Sequence, residues 1–407
     1  MPSSHEAEQP ADEVRRWIET VSGPRWSWVA KILSANDTGA TGAHQVGLYF
    51  PREVIFRLFP SLRSSTSANP ETTVHAVFES HPDERDLRVI WYNQRTRNEA
   101  RITRWGGADS PVQDPEATGS LCVLAFHCPE GSDADQCRIW VCRSLAEEDA
   151  VTDLTGPVEP GTVTCLEPWG EGRLTARITP GVDMPCWLER DQIPEQWLLS
   201  FPEAQEIVRK SAQHLPTVTG VSPDVRLMRR RECELQIFSS VEEAVVLPRL
   251  TEGFAAVDIF VAYANTVLNR RKSRSGLSLE LQTRSIFDEE ELQHSYNEVS
   301  EGRKKPDFLF PSAEDYRDPA FSTERLRMLG AKTTCKDRWR QILTEADRIE
   351  RKHLITLQEG VSEHQFREME ASSVVLVVPE PLHLKYPASV RPQLLTLSQF
   401  ITETAVL

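Results

Sequence analysis

Between residues 24 and about 145, apolar and polar positions alternate residue by residue, the pattern of strands with one buried face. The clearest runs are residues 74–78, 87–92, 100–105, 121–126 and 138–142, separated by clusters of Gly, Pro, Asp and Ser. Short strands at this spacing predict a barrel or sandwich. From Thr155 to about Gln196 the chain turns Pro- and Gly-rich, which reads as a domain edge and a connecting segment.

From about Pro202 onward the pattern is mixed. Phe254, Val257, Val261, Ala264 and Leu268 fall on one helical stripe. The apolar run behind Asp307 and residues 325–334 read as strands. A helix is expected from Asp337 to about Lys352, with Trp339, Ile342, Leu343, Ala346 and Ile349 as its buried stripe. Strand 353–358, helix 362–371, strand 374–379 and a last helix at about 398–404 complete the pattern. Strands alternating with helices imply a sheet covered by helices on both faces.

With 407 residues, two domains are the default. The apolar share of 39% is that of a globular chain, and no apolar run approaches the roughly eighteen residues of a spanning helix. The N-terminus is polar and acidic, without the apolar stretch of a signal peptide, so cytoplasm is the expected location. None of the eight cysteines forms a C-x-x-C pair. Zinc among Cys122, Cys128, Cys137 and Cys142 competes with reduced strand cysteines, which their apolar neighbours favour, and the spacing is not a disulfide framework.

A net charge of −15 argues against nucleic acid globally, but local basic patches govern phosphate contact. Such patches are Arg95, Arg97, Arg101 and Arg104; Arg229 to Arg231; Arg270, Arg271, Lys272 and Arg274; and Arg303 to Lys305.

Asp307 opens one strand, Lys332 lies on the next, and Glu345 follows thirteen residues later on the expected helix. Two carboxylates and a lysine on adjacent β-β-α elements suit a Mg²⁺-dependent phosphodiesterase. Carboxylates hold hard cations, the cation activates water, and the lysine offsets developing charge. The commonest nuclease pattern of this kind has an acid two residues before the lysine; here Gly330 stands there, so Glu345 is expected to supply that carboxylate. Glu280 is a further candidate acid, with a salt bridge to Arg284 one turn on as its ordinary explanation. Lys336, Asp337 and Arg338 carry groups that read cytosine and guanine edges, although Asp337 alone also suits a helix N-terminus. In the first half, the Gly-rich loop from Lys31 to Gln45 and the segment Arg95 to Trp105 offer hydrogen-bonding and basic groups, or are simply solvated loops. No GK[ST] follows, so a phosphate cradle is not expected.

At this point the chain resembles the EcoRII-type (type IIE) restriction endonucleases. The resemblance rests on LSANDTGATGAHQVGLYF from Leu33, TRNEARITRWG from Thr96, QDPEATGS from Gln113, NRRKSRSGLSLEL from Asn269, GRKKPDFLFPSA from Gly302 and LGAKTTCKDRWRQILTEADR from Leu329. It implies an α+β and α/β chain of two domains. One is an N-terminal B3-like DNA-binding β pseudobarrel over residues 1–170. A linker at 171–200 leads to a C-terminal α/β/α restriction-endonuclease-like PD-(D/E)xK domain over 201–407. It further implies Mg²⁺-dependent cleavage of double-stranded DNA at a CCWGG-like site, stimulated by a second site on the effector domain, with autoinhibition, a homodimer, a cognate DNA methyltransferase and flipping of the central bases.

By position, Asp307, Lys332 and Glu345 match the catalytic set, with Asp307 and Glu345 as metal ligands and Glu280 as an accessory acid. Lys336, Asp337 and Arg338 match the base-reading segment. Lys31, Ser34, Asn36, Asp37, Thr38, His44, Gln45, Arg97, Asn98, Glu99, Arg101 and Arg104 match the effector-domain DNA-binding arms. A catalytically silent sequence-specific DNA-binding regulator is the competing reading. A repair or transposition nuclease without strict sequence preference is the third.

Overall fold

The computed structural model describes residues 10–42, 47–94, 98–166, 175–178 and 185–407. The chain divides into two compact units. Unit 1 comprises Met1–Gly181 together with Gln358–Arg367 and Leu384–Pro392; unit 2 comprises Val182–Leu357, Glu368–His383 and Gln393–Leu407.

Among the described residues, unit 1 is built on one sheet of eight strands: β1 (Trp26–Ile32), β2 (Glu71–Phe78), β3 (Asp83–Tyr92), β4 (Glu99–Thr103), β5 (Leu121–His127), β6 (Gln136–Val141), β7 (Val163–Leu166) and β8 (Thr175–Ile178). Their order is β4-β3-β2-β6-β5-β1-β7-β8. β2 and β6 run parallel, and the other pairs are antiparallel.

The strand alternation reappears as two cores, one on each face. Val29, Leu124, Phe126 and Ile139 face one cluster with Phe50, Phe59 and Trp105. Trp28, Ala30, Ile32, Val123 and Trp140 face the other, against Val14, Trp17, Ala150 and Val151. The second face is closed by helices Pro10–Thr20 and Leu145–Thr155, which strand periodicity alone did not predict. Within unit 1, Ser362 Oγ donates to Glu116 Oε1 (2.6 Å) and Ala35 N to the Glu359 carbonyl (2.8 Å).

Unit 2 carries a five-stranded sheet, β9 (Ser295–Tyr296), β10 (Phe308–Phe310), β11 (Arg327–Ala331), β12 (Lys352–Ile355) and β13 (Val374–Val377), in the order β13-β12-β11-β10-β9. β11, β12 and β13 are parallel neighbours, whereas β9, β10 and β11 pair antiparallel. Phe287, Phe308, Phe310 and Phe400 cluster against it, with Phe287 and Phe308 ring centroids 5.2 Å apart.

Two long helices, Pro223–Glu252 and Val257–Glu289, dominate the unit, far longer than the single stripe at 254–268 foretold. That stripe does not face a core: Val257 is 76% exposed and Val261 46%. Arg230, Arg271 and Arg274, from two of the expected basic patches, are instead internal glue. Arg226 and Arg230 pair with Glu289, Arg271 with Glu242 and Arg274 with Glu234, joining one long helix to the other. Arg230 is fully buried, so paired and desolvated guanidiniums there bind helix to helix, not phosphate.

Three sequence expectations need correction. The helix foreseen from Asp337 to Lys352 is a short 3₁₀ segment, Arg338–Thr344, after which Glu345 is extended and Ala346 left-handed (φ 50°). Trp339 and Ile342, both buried, are spaced three apart, which suits a 3₁₀ turn as well as an α-helix. Cys186 and Cys233 form a disulfide, a pairing that spacing did not suggest; Cys122, Cys128, Cys137, Cys142, Cys165 and Cys335 are not disulfide-bonded. Finally, Cys186, Leu188, Ile193 and Trp197, placed in a linker by composition, pack into a core of unit 2 with Ile237 and Phe238. Among the described residues, no helix is long and apolar enough to cross a membrane.

Candidate active site and candidate DNA-contact residues

Asp307 immediately precedes β10, and the register Phe308↔Leu329 sets it beside the end of β11. Its Oδ2 accepts from the Ala331 backbone N–H (2.7 Å) and from Lys332 Nζ (3.2 Å). Lys332 follows β11 directly, and its own N–H donates to the Ile355 carbonyl of β12 (3.0 Å). The sheet therefore brings together two residues far apart in sequence and orients both.

Glu345 caps the 3₁₀ segment, its N–H donating to the Ile342 carbonyl (3.1 Å). Its Oε2 is buried without a hydrogen-bond partner. Burial, then the charge of Asp307, push its carboxyl up to about 7; Glu280 adds to this, and Lys332 and Lys352 offset part of it. Glu280, on the helix Val257–Glu289, is likewise raised to about 7, first by burial and then by Asp307. It accepts from Tyr296 Oη (3.1 Å), and Arg284, its expected partner, lies over the Tyr296 ring. Asp307, Lys332, Glu345 and Glu280 thus share one electrostatic site, although Glu345 arrives on an extended residue, not a helix.

Among the described residues, no three His, Cys, Asp or Glu side chains are close enough to hold a metal by themselves. The donor chemistry nonetheless fits a hard cation. Burial and the charge of Asp307 raise both Glu345 and Glu280, so added positive charge would be favoured there, and Glu345 Oε2 lacks any donor. Magnesium commonly takes one or two carboxylates and completes its shell with water and phosphate oxygens.

Lys336, Asp337 and Arg338 are all partly exposed at the start of the 3₁₀ segment, with Arg340 Nη1 3.4 Å from Asp337 Oδ1. In unit 1, Lys31 and Asp37 form a buried ion pair (2.8 Å), Ser34 N and Oγ both donate to Asp37 Oδ2 (2.8 Å), and Thr38 Oγ1 meets Thr118 Oγ1 (2.7 Å). These four residues brace the loop from within. Asn36 is partly exposed beside them, and Lys31, Ser34, Asn36, Asp37, Tyr49 and Arg101 line a cleft of about 470 Å³. Asn98 is exposed and its Oδ1 accepts from Trp91; Glu99 accepts from Arg101; Arg104 is exposed at φ 67°. His44, Gln45 and Arg97 lie outside the described residues. Sequence reasoning missed Tyr296, the partner of Glu280; only its proximity to Asp307 in the chain could have drawn attention to it.

The family description "Restriction endonuclease EcoRII, N-terminal" matches residues 22–169, and "EcoRII C terminal" matches residues 238–401. The chain is 47% identical over 397 residues to the type II restriction enzyme EcoRII of Escherichia coli, covering 95% of this chain and 96% of that one. Among solved structures it overlaps metal-depleted Ecl18kI in complex with uncleaved, modified DNA (TM-score 0.43, 16% identity, 52% of this chain and 82% of that one). It also overlaps the UbaLAI restriction endonuclease B3 domain with cognate DNA (TM-score 0.28, 17% identity, 38% and 98%). Kinship follows from the sequence, not from these looser overlaps. Both family domains match in order and nearly half the residues are shared along almost the whole length, so the chain belongs to the EcoRII family of type II restriction endonucleases.

Proposed function

We propose that this protein cleaves double-stranded DNA at a CCWGG-like site by Mg²⁺-dependent phosphodiester hydrolysis, activated by a second copy of the site bound at the N-terminal unit. The observation that carries the reading is the acid cluster: Asp307 held by Ala331 N–H and Lys332, with Glu345 and Glu280 raised beside it. In this reading the second unit is a PD-(D/E)xK fold with Glu345 standing in for the acid that Gly330 cannot supply, and the first is a B3-like pseudobarrel.

Asp307 and Glu345 would hold the cation. When bound, Mg²⁺ supplies Lewis acidity and a hydroxide near neutral pH. Lys332, oriented by Asp307, carries a positive charge at the point where negative charge grows on the phosphate. Glu280, pinned by Tyr296, adds negative charge that favours cation capture. Lys336, Asp337 and Arg338 open the same short stretch that ends in Glu345, which couples base reading to the metal site.

Asn36, Asn98, Glu99, Arg101 and Arg104, with His44, Gln45 and Arg97, are the proposed effector contacts; Lys31, Ser34, Asp37 and Thr38 brace the turn that carries Asn36. Homodimerisation is supported by the exposed apolar run Val257, Ile259, Phe260 and Val261. A two-fold dimer reading an odd-length site must displace the central pair, at about a few kcal/mol of unstacking. Autoinhibition by the effector unit, a cognate methyltransferase and a cytoplasmic location complete the proposal.

A plasmid digest with Mg²⁺, with and without added oligonucleotide sites, tests it. Discrete bands that intensify with added sites are expected. A smear would indicate a nuclease without sequence preference, and site-specific binding without cleavage would indicate the silent regulator.

A further inference from the structure

Glu345 Oε2 makes no hydrogen bond, so the place of this carboxylate is set by its backbone. That backbone is held with unusual completeness. Lys352 is almost fully buried, and its Nζ donates to three carbonyl oxygens: Glu345 (2.6 Å), Ala346 (3.1 Å) and Ile349 (2.8 Å). An ammonium has three N–H groups, and here each has an acceptor.

The backbone N–H groups of Asp347 and Arg348 are also taken. Asp347 N donates to Glu301 Oε1 (3.0 Å) and Arg348 N to Tyr316 Oη (3.1 Å), while Tyr316 Oη–H donates to Glu301 Oε2. Arg348 returns the grip through its guanidinium, donating to the Tyr316, Asp318 and Phe321 carbonyls. Ala346 sits at φ 50°, a left-handed conformation that a non-glycine residue keeps only when its surroundings enforce it.

We propose that Lys352, Glu301 and Tyr316 are positioning residues that aim Glu345 at the cation site, an inference that rests on the Mg²⁺ reading above. The anchors sit on parts of the chain that build the site. Lys352 begins β12, the parallel neighbour of β11, whose end delivers Lys332. Glu301 lies six residues before Asp307. The turn therefore inherits its position from the strands that carry the other two groups. Burying Lys352 to cap a turn is costly unless every donor is met, and here every donor is met.

The test compares Tyr316→Phe, Glu301→Leu, Glu301→Gln and Lys352→Met with the unmodified full chain. Three quantities are read: the thermal midpoint, Mn²⁺ binding by electron paramagnetic resonance, and the Mg²⁺ dependence of single-turnover cleavage. Tyr316→Phe and Glu301→Leu should weaken both metal constants by about tenfold, the usual effect of losing a group that orients a ligand. DNA affinity without metal should stay within about twofold, well below the tenfold that 1.4 kcal/mol represents. Glu301→Gln, which keeps an acceptor for Asp347 N, should recover part of the loss.

A lowered thermal midpoint with both metal constants unmoved would overturn the proposal, since that is what a purely structural role predicts. If Lys352→Met does not fold, Tyr316→Phe still decides, because it removes one hydroxyl. Asp307→Ala run in parallel separates the two levels. If it retains Mn²⁺ binding and cleavage, the metal reading itself fails; if it loses both while Tyr316→Phe moves neither, only the positioning role fails.

Discussion

A Cβ added to Gly330 would stand 2.6 Å from Ile342 Cγ2 and 3.6 Å from Leu354 Cδ1. The position where an acid is most expected is filled by a side chain of the 3₁₀ segment. The same close approach brings that segment against β11 and leaves Glu345, three residues beyond Ile342, at the site. The side chain that leaves no room for an acid at position 330 thus belongs to the same segment that ends in Glu345. Gly330→Ala should lower stability by about 1 to 3 kcal/mol through overpacking, and Gly330→Asp should lose cleavage and not gain a ligand. Denaturant midpoints and plasmid cleavage check both, and a fully active, stable Gly330→Asp protein would contradict the account.

Asp307→Ala and Lys332→Ala should each reduce cleavage by roughly 10²-fold or more, as loss of a preorganised charge at the reacting centre usually does. Specific DNA binding measured without divalent metal should persist. Single-turnover rates beside gel-shift titrations separate the two effects, and near-normal turnover in either variant would remove that residue from the site.

The raised carboxyls make metal-free stability depend on pH in a definite direction. Glu345 and Glu280 sit at about 7, above their ordinary 4.5, so the folded state holds protons that the unfolded state releases. Their contribution is fully present below about 4.5 and is lost as pH rises through about 7. A divalent cation favours the ionised forms, so Mg²⁺ should raise the thermal midpoint more at pH 8 than at pH 5.5. Glu345→Gln should flatten both the metal-free profile and the Mg²⁺ increment; an unchanged increment would exclude Glu345 as a ligand.

Unit 1 offers a contrast between bracing and contact. Asp37→Ala strands buried Lys31 and should cost about 3 to 5 kcal/mol, the usual price of orphaning one member of a buried ion pair. Arg104→Ala, at an exposed position, should leave stability unchanged, weaken effector-site binding and reduce its salt dependence by about one phosphate contact. Calorimetry and salt-titrated binding to a one-site oligonucleotide distinguish them. Equal destabilisation by both would refute the division.

The exposed apolar positions Val257, Phe260 and Val261, which share one side of the helix, should bury themselves against a second copy. Replacing Phe260 by Asp and Val261 by Glu should shift sedimentation toward the monomer while the metal-free fold is kept. A wild-type chain that sediments as a monomer at all concentrations would dismiss this face as the dimer contact.

Legibility varied with the range of the interaction involved. The alternation at 121–126 translated directly into β5, because neighbouring side chains on a strand reveal its faces. The run Arg270 to Arg274 misled, since basic residues look alike whether they meet phosphate or Glu242 and Glu234 on a helix some thirty to forty residues away. Composition likewise marked Cys186 to Trp197 as a connector, although the disulfide to Cys233 and the packing of Ile193 and Trp197 make it core. Tyr316 carried no readable role in the sequence because its partners, Glu301 and the Arg348 backbone, lie 15 and 32 residues away.

By itself the sequence determined the strand-rich first half, the mixed second half, the family, and the chemical identities Asp307, Lys332 and Glu345. Those properties live in residue types and short spacings. Only the tertiary structure decided how Glu345 reaches the site. A spacing shared by 3₁₀ and α geometry could not say that the chain leaves the turn extended at Glu345 and left-handed at Ala346. The deciding forces are non-local: Ile342 filling the space above Gly330, and Lys352 gathering three carbonyls from the turn onto the start of β12.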